Sequence, residues 1–187
     1  MKRVATLMSV LVLAGACRSP SVTLIPEGDL PEDVYGSPEP TPTPEEELPR
    51  KGIVYLVRGE RLVPVPRTLQ GVAGSLPEAL MLALLQGPRE KNTTEIPADT
   101  RLNDLEVRNT VGYVDLSGEF ERPGTRRELV LRIAQVVYTL TEDPSPVAAV
   151  RFLIDGVETN VIGEETLASV ARPVNRGDYP QFAPPEG

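Results

Sequence analysis

Apolar positions change their spacing several times along this chain, and each change predicts an element. The clearest stretch runs from Thr125 to Gly156. Leu129, Ile133, Val136, Val137 and Leu140 recur at helical spacing, while Glu128, Arg132, Gln135 and Thr139 form the opposite, polar stripe. Thr125 is placed as an N-cap. Glu128, three residues on, can complete a capping box that satisfies two otherwise orphaned backbone N–H groups. The helix is predicted to stop at Thr141-Glu142-Asp143-Pro144, because a proline disfavours helix in the residue before it. Val147 to Ile154 is then a short apolar run, rich in β-branched residues and broken by Arg151, which suits a buried strand. Asp155-Gly156 closes it with a hairpin turn signal.

Other segments follow the same logic. Residues 53–57 (IVYLV) and 62–65 (LVPV) read as two strands joined near Arg58-Gly59-Glu60. Pro64 and Pro66 place the second at a sheet edge or end it early. Ser75 caps a helix, with Glu78 positioned for a second capping box. Leu76 to Gln86 is apolar nearly all round, so this helix is expected to be deeply buried. Gly87-Pro88 stops it. Residues 88–103 read as loop. Residues 104–109 and 111–117 alternate apolar and polar side chains and predict a second hairpin. Val157 to Ile162 can pair back across Asp155-Gly156, and Glu164 to Ala171 is expected to form a last helical turn. From Arg172 the chain is proline-rich. There Tyr179 and Phe182 either pack back on the domain or stay mobile.

The predicted order is ββαββαβ with a further short strand. Hairpins alternating with helices suit an α+β fold, with the two main helices on one face of a small mixed or antiparallel sheet.

Several of these segments together carry a resemblance. "RIAQVVYTLTEDPSPVAAVRFLIDG", containing Gln135, the run Tyr138 to Glu142 and the terminal Asp155-Gly156, resembles the hallmark segment of the GerMN domain. That family is named after a sporulation and spore germination protein. The Val54-Tyr55-Leu56 strand, Pro88 in "LLQGP", Ile96-Pro97 followed by "DTRL", and Val114 to Ser117 agree with it in order. The likeness covers about residues 52–172. It implies a fold similar to the small ring-building modules of secretion and sporulation channels, and a setting in sporulation, germination or envelope assembly. It supplies no catalytic motif.

The ends of the chain read differently. In residues 1–17, Lys2 and Arg3 precede a short apolar run from Val4 to Leu13, and Ala14-Gly15-Ala16 supplies small residues before Cys17. This is the layout of an export signal. The apolar run is too short to span a bilayer. Leu13 to Cys17 resembles a lipobox, the signal for lipid attachment to Cys17, although the leucine stands one residue further from the cysteine than the family pattern has it. The plainer alternative is an ordinary signal cleaved after Ala16. Residues 18–50 hold eight prolines and eight acidic residues among few apolar ones. Such a stretch cannot bury enough surface to fold. Extended, it reaches on the order of 100 Å, either as a spacer lifting residues 51–172 off a membrane or as a passive linker. Residues 173–187 are expected to be a proline-rich tail.

Composition narrows the chemistry. Of 187 residues, 40% are hydrophobic and 4% aromatic, so the core is aliphatic. There is no histidine, which removes His-based acid–base and nucleophile systems and most zinc sites. Cys17 is the sole cysteine, so no disulfide forms within the chain. The net charge of −8 argues against nucleic acid as a partner. The carboxylates Asp115, Asp155, Asp143 and Glu142 are what remains for acid–base work. Nothing in the spacing brings two of them together as a glycosidase would need. Asp155 is explained by its turn and Asp143 by the helix end. Ser75 is a cap, and Ser117 has no evident base. No catalytic residue, metal site or cofactor is expected.

The sequence therefore predicts a binding protein held at the cell membrane through a lipid on Cys17, facing outward. Its expected partners are envelope proteins or peptidoglycan. The candidate docking face is the helix surface of Arg126, Arg127, Glu128, Arg132, Gln135 and Thr139, whose plainer reading is a solvated helix face. The competing reading is a peptidoglycan-binding lipoprotein or a carboxylate-dependent wall hydrolase.

Overall fold

The structure, a computed structural model, describes residues 50–69, 74–89, 91–163 and 168–185. The signal segment with Cys17, the stretch from residue 18 to 49, and residues 164–167 of the expected last helical turn lie outside them.

Strands β1 (Arg50–Arg58) and β2 (Arg61–Leu69) form an antiparallel hairpin. Gly59 opens its two-residue turn at φ +64°. Arg50, expected at the end of the linker, is already the first strand residue. Helix α1 (Leu76–Leu85) follows. Ser75 accepts a hydrogen bond from the Glu78 N–H, the first half of the expected capping box. As the pattern predicts, most of α1 is buried.

Strands β3 (Leu102–Arg108) and β4 (Val111–Leu116) form the second hairpin. Its turn, Asn109-Thr110, has both residues at positive φ (48° and 65°), the geometry whose twist matches a two-residue hairpin. A 3₁₀ turn at Gly118–Glu121 leads to helix α2 (Arg126–Leu140). Strand β5 (Ala149–Ile154) then pairs parallel to β4. Parallel neighbours need a long crossover, and α2 supplies it. The register places Gly112, Val114 and Leu116 beside Val150, Phe152 and Ile154, all on one buried face. Phe120 stacks on Phe152 there, with ring centres 5.9 Å apart.

Beyond β5 the structure departs from expectation. Val157–Glu158 (β6) does pair back on β5, completing a mixed sheet in the order β3-β4-β5-β6. The expected strand to Ile162 nevertheless breaks after two residues. Val161–Ile162 (β7) pairs with Ala168–Ser169 (β8) instead. Those last two residues were expected in a helical turn. Gly163 sits at φ +81°, and a Cβ on it would come within 2.7 Å of Leu129 Cδ1. Only glycine lets β7 turn away so close to α2.

The C-terminal segment belongs to the fold. Val174 exchanges backbone hydrogen bonds with Val150 (2.8 and 2.9 Å), and Tyr179 and Phe182 are buried. The residues after 172, whose packing the sequence leaves open, thus lie against the rest of the fold. Helix α2 becomes the centre of the molecule, touching β1, α1, β5 and this C-terminal strap. From Leu131 to Leu140 every residue is buried. The architecture is α+β, with a mixed sheet and two main helices, as the periodicities predict.

Candidate functional site

The polar stripe on α2 is the feature the sequence marks most clearly, and the structure turns it inward. Arg132 is 4% exposed, and Gln135 and Thr139 are fully buried. These three cannot form a docking face. A helix packed against a strand edge and a loop meets backbone groups that lack partners, and buried polar groups must be paired.

Strand β1 shows why. One of its edges pairs with β2. At its other edge, the Tyr55 N–H donates to Thr139 Oγ1 (2.9 Å), and Gln135 Nε2 donates to the Tyr55 carbonyl (3.1 Å). Two helix residues four apart thus stand in for a neighbouring strand. Val57 continues this edge by exchanging two 2.8 Å bonds with Thr93. Gln135 Oε1 also accepts from the Glu95 N–H (2.9 Å), which fastens the loop before β3. Arg132 donates to the carbonyls of Glu95 (2.8 Å), Phe120 (2.5 Å) and Arg122 (2.9 Å). Burial pushes the guanidinium pKa down and the nearby Glu95 and Glu128 push it up; an arginine stays charged in proteins.

The stripe is capped at both ends. At the start, Thr125 and Glu128 form the full capping box the sequence predicts: Thr125 N–H to Glu128 Oε2 is 2.7 Å, and Glu128 N–H to Thr125 Oγ1 is 3.3 Å. The bond from the Thr125 N–H holds the Glu128 carboxyl below its usual range. At the far end, Glu142 receives the Tyr55 hydroxyl (2.7 Å) and pairs with Arg176 of the strap. Arg176 also donates to the Tyr138 carbonyl (2.8 Å) and Thr141 Oγ1 (2.9 Å), and lies over the rings of Tyr55 and Tyr138. Burial and the bond to Glu142 push the Tyr55 phenol up to about 12.

The remaining carboxylates are engaged locally. Asp115 accepts from the Gly156 N–H (2.9 Å), and Asp155 accepts from the Gly118 N–H (3.1 Å) and from Asn103 (3.4 Å). Each holds a turn at the end of β4 or β5. Ser75 caps α1, and Ser117 accepts from the Arg101 N–H (2.9 Å). Among the described residues no group of acidic side chains is arranged to hold a metal ion, and no helix is long and apolar enough to cross a membrane.

What stays at the surface is the start of α2. Arg126 and Arg127 are exposed there and border a groove of about 710 Å³ between α2 and the strap. Val130, Ile133, Tyr179 and Phe182 supply apolar walls. In the sequence Arg126 and Arg127 stand out by their positive charge at the helix start, and nothing local links them to the opposite wall. Tyr179 and Phe182 lie about fifty residues further on, in a segment that reads as a tail.

Comparison with known proteins adds the following. The Germane family model, described as "Sporulation and spore germination", matches residues 53–160. No curated protein matches the chain. Among solved structures, a candidate lipoprotein from Clostridium perfringens is similar over 73% of this chain and 93% of its own, with a TM-score of 0.51 and 19% identity. The tandem GerMN domains of the sporulation protein GerM from Bacillus subtilis align over 70% of this chain, with a TM-score of 0.56 and 18% identity. This chain spans 48% of that pair. The first GerMN domain of the same protein aligns over 99% of its length and 69% of this chain, with a TM-score of 0.53 and 20% identity. At such identities the likeness is one of fold.

Proposed function

Because the chain belongs to the Germane family of sporulation and spore germination proteins, we propose that it is a non-catalytic interaction module of the cell envelope. In this reading it is held on the outer face of the membrane by a lipid on Cys17. The observation that carries the non-catalytic part is the engagement of its polar chemistry. Asp115 and Asp155 hold backbone turns, Glu142 holds Tyr55 and Arg176, and Arg132, Gln135 and Thr139 hold β1 and two loops. A reacting group needs access to a substrate, and these groups already serve the fold. The anchor rests on the lipobox-like Leu13 to Cys17, and the acidic, proline-rich stretch after it suits a spacer. Lipidation with more than one acyl chain holds a protein stably, where a single chain binds marginally. The partner in this reading is another envelope protein, in sporulation, germination or envelope assembly.

Cross-linking in intact cells tests it, with the wild type beside Cys17→Ala. One or two envelope proteins captured by the anchored form alone is the expected result. Recovery of glycan strands in their place, or identical capture without the anchor, overturns the reading.

A further inference from the structure

We propose that the groove between the start of α2 and the C-terminal strap binds a short acidic segment of a partner protein, one carrying an aliphatic or aromatic side chain beside its carboxylates. The proposal rests on the interaction-module reading and locates its contact.

Two observations combine. The first is that, among the described residues, the arginines at the mouth gain little from the fold. Positive charge in the first turn of a helix opposes the helix dipole, at a cost of a few tenths to about 1 kcal/mol. Arg126 makes no hydrogen bond or ion pair among the described residues. Arg127 reaches the exposed Glu60 at 3.4 Å, a surface pair of little worth. The backbone end of the helix is already closed by the Thr125–Glu128 capping box, so the two guanidinium groups are the anion-binding elements here. Paired arginines suit carboxylates, which they can bind through two parallel N–H donors.

The second observation is the wall beside them. Val130, Ile133, Tyr179 and Phe182 give the groove apolar walls beside the arginines; Asp178 also lines it, with its carboxylate already paired to Arg172. At about 710 Å³ it falls in the range of ordinary ligand clefts. A phosphate-rich wall polymer would satisfy the arginines and leave these apolar walls uncovered. A peptide with an acidic residue next to a bulky apolar one satisfies both. Ser169 and Gln181 border the same groove and are exposed, positioned to hydrogen-bond its backbone.

Fluorescence anisotropy with the labelled peptide Ser-Glu-Leu-Asp-Phe-Ser tests this on the full chain. Three comparison probes are the same peptide with lysine for both acids, the same with serine for Leu and Phe, and inorganic polyphosphate. The expected result is saturable binding of the first peptide and at least tenfold weaker binding of each other probe. Arg126→Glu with Arg127→Glu should weaken it at least tenfold. Melting should be unchanged or slightly raised, since acidic residues suit a first turn. No binding, equal binding of the lysine peptide, preference for polyphosphate, or indifference to the arginine changes would each overturn the proposal. In the cross-linking experiment, capture that persists in the doubly reversed variant sinks the groove and leaves the module reading intact. Loss of all anchored capture in the wild type overturns the module reading and the groove proposal with it.

Discussion

Arg132→Met is expected to lower folding stability by about 3 kcal/mol, a large effect for a change that keeps most of the side-chain volume. Methionine keeps most of the volume of the arginine stem, so the loss does not come from a cavity. It comes from three carbonyls, on Glu95, Phe120 and Arg122, that lose a charged donor at once. Hydrogen bonds to charged groups are worth roughly 1.5–3 kcal/mol each. The sum is reduced because part of the site is near enough to the surface for water to reach the carbonyls. Domains of this size are stable by about 5–15 kcal/mol, so the variant should still fold but melt roughly 10 °C lower. Urea and thermal unfolding measure this. Arg127→Met, on the exposed side of the same helix, should lie within about 0.5 kcal/mol of the wild type. Equal effects at the two positions would contradict the buried role of Arg132.

Gln135→Leu should cost about 2–3 kcal/mol for a related reason. Its amide faces two backbone groups of opposite character. Nε2 donates to the Tyr55 carbonyl and Oε1 accepts from the Glu95 N–H. Leucine fills the space and pairs with neither. Thr139→Val removes one bond, from the Tyr55 N–H, and should cost about 1–2 kcal/mol. Because both residues hold the same strand edge, the double variant should lose less than the sum. Amide exchange separates them: Gln135→Leu should speed exchange at Glu95, whereas Thr139→Val should speed it at Tyr55. A Gln135→Leu protein as stable as the wild type would show that water replaces the amide without cost.

These effects bear on what the sequence could reveal. The elements themselves were legible, because their signals are local. Capping residues, the Asp155-Gly156 turn, and the switch from helical to alternating spacing after Pro146 each reflect a few neighbouring residues. The direction of the α2 stripe was not. Polar side chains at positions 128, 132, 135 and 139 produce the same periodic pattern whether they meet water or the backbone of a strand edge. What distinguishes the cases is that β1 arrives from eighty residues away with one unpaired edge. Whether Tyr179 and Phe182 pack back on the domain was open for a similar reason. Prolines on either side of them match a tail, and the packing that holds them depends on Arg176 reaching Glu142 and Tyr138. The pairing of β7 with β8 also overrode local preference. The chain leaves β6 at Thr159-Asn160, where the pattern alone suggests one strand through Ile162, and Gly163 follows β7 at positive φ.

The functional consequence is a shift in where recognition can occur. Half of the face marked by periodicity is interior and serves as the joint between helix, strand and loops. Its remainder, exposed Arg126 and Arg127 with half-buried Glu128, lies at the helix start, where Glu128 is committed to the cap. That leaves the two arginines and the groove beside them as the surface proposed above for a partner. A stable joint of this kind also holds that surface rigid, which lowers the entropic cost of binding.

The most direct measurement is native-state thiol labelling in a Cys17→Ser background, which leaves no other cysteine in the chain. Thr139→Cys and Arg126→Cys are introduced separately and treated with a maleimide reagent. The account predicts labelling at position 126 close to the unfolded rate. Labelling at position 139 should be slower by at least about a hundredfold, because it must wait for the structure to open. Similar rates at the two positions would place the stripe at the surface and contradict the account.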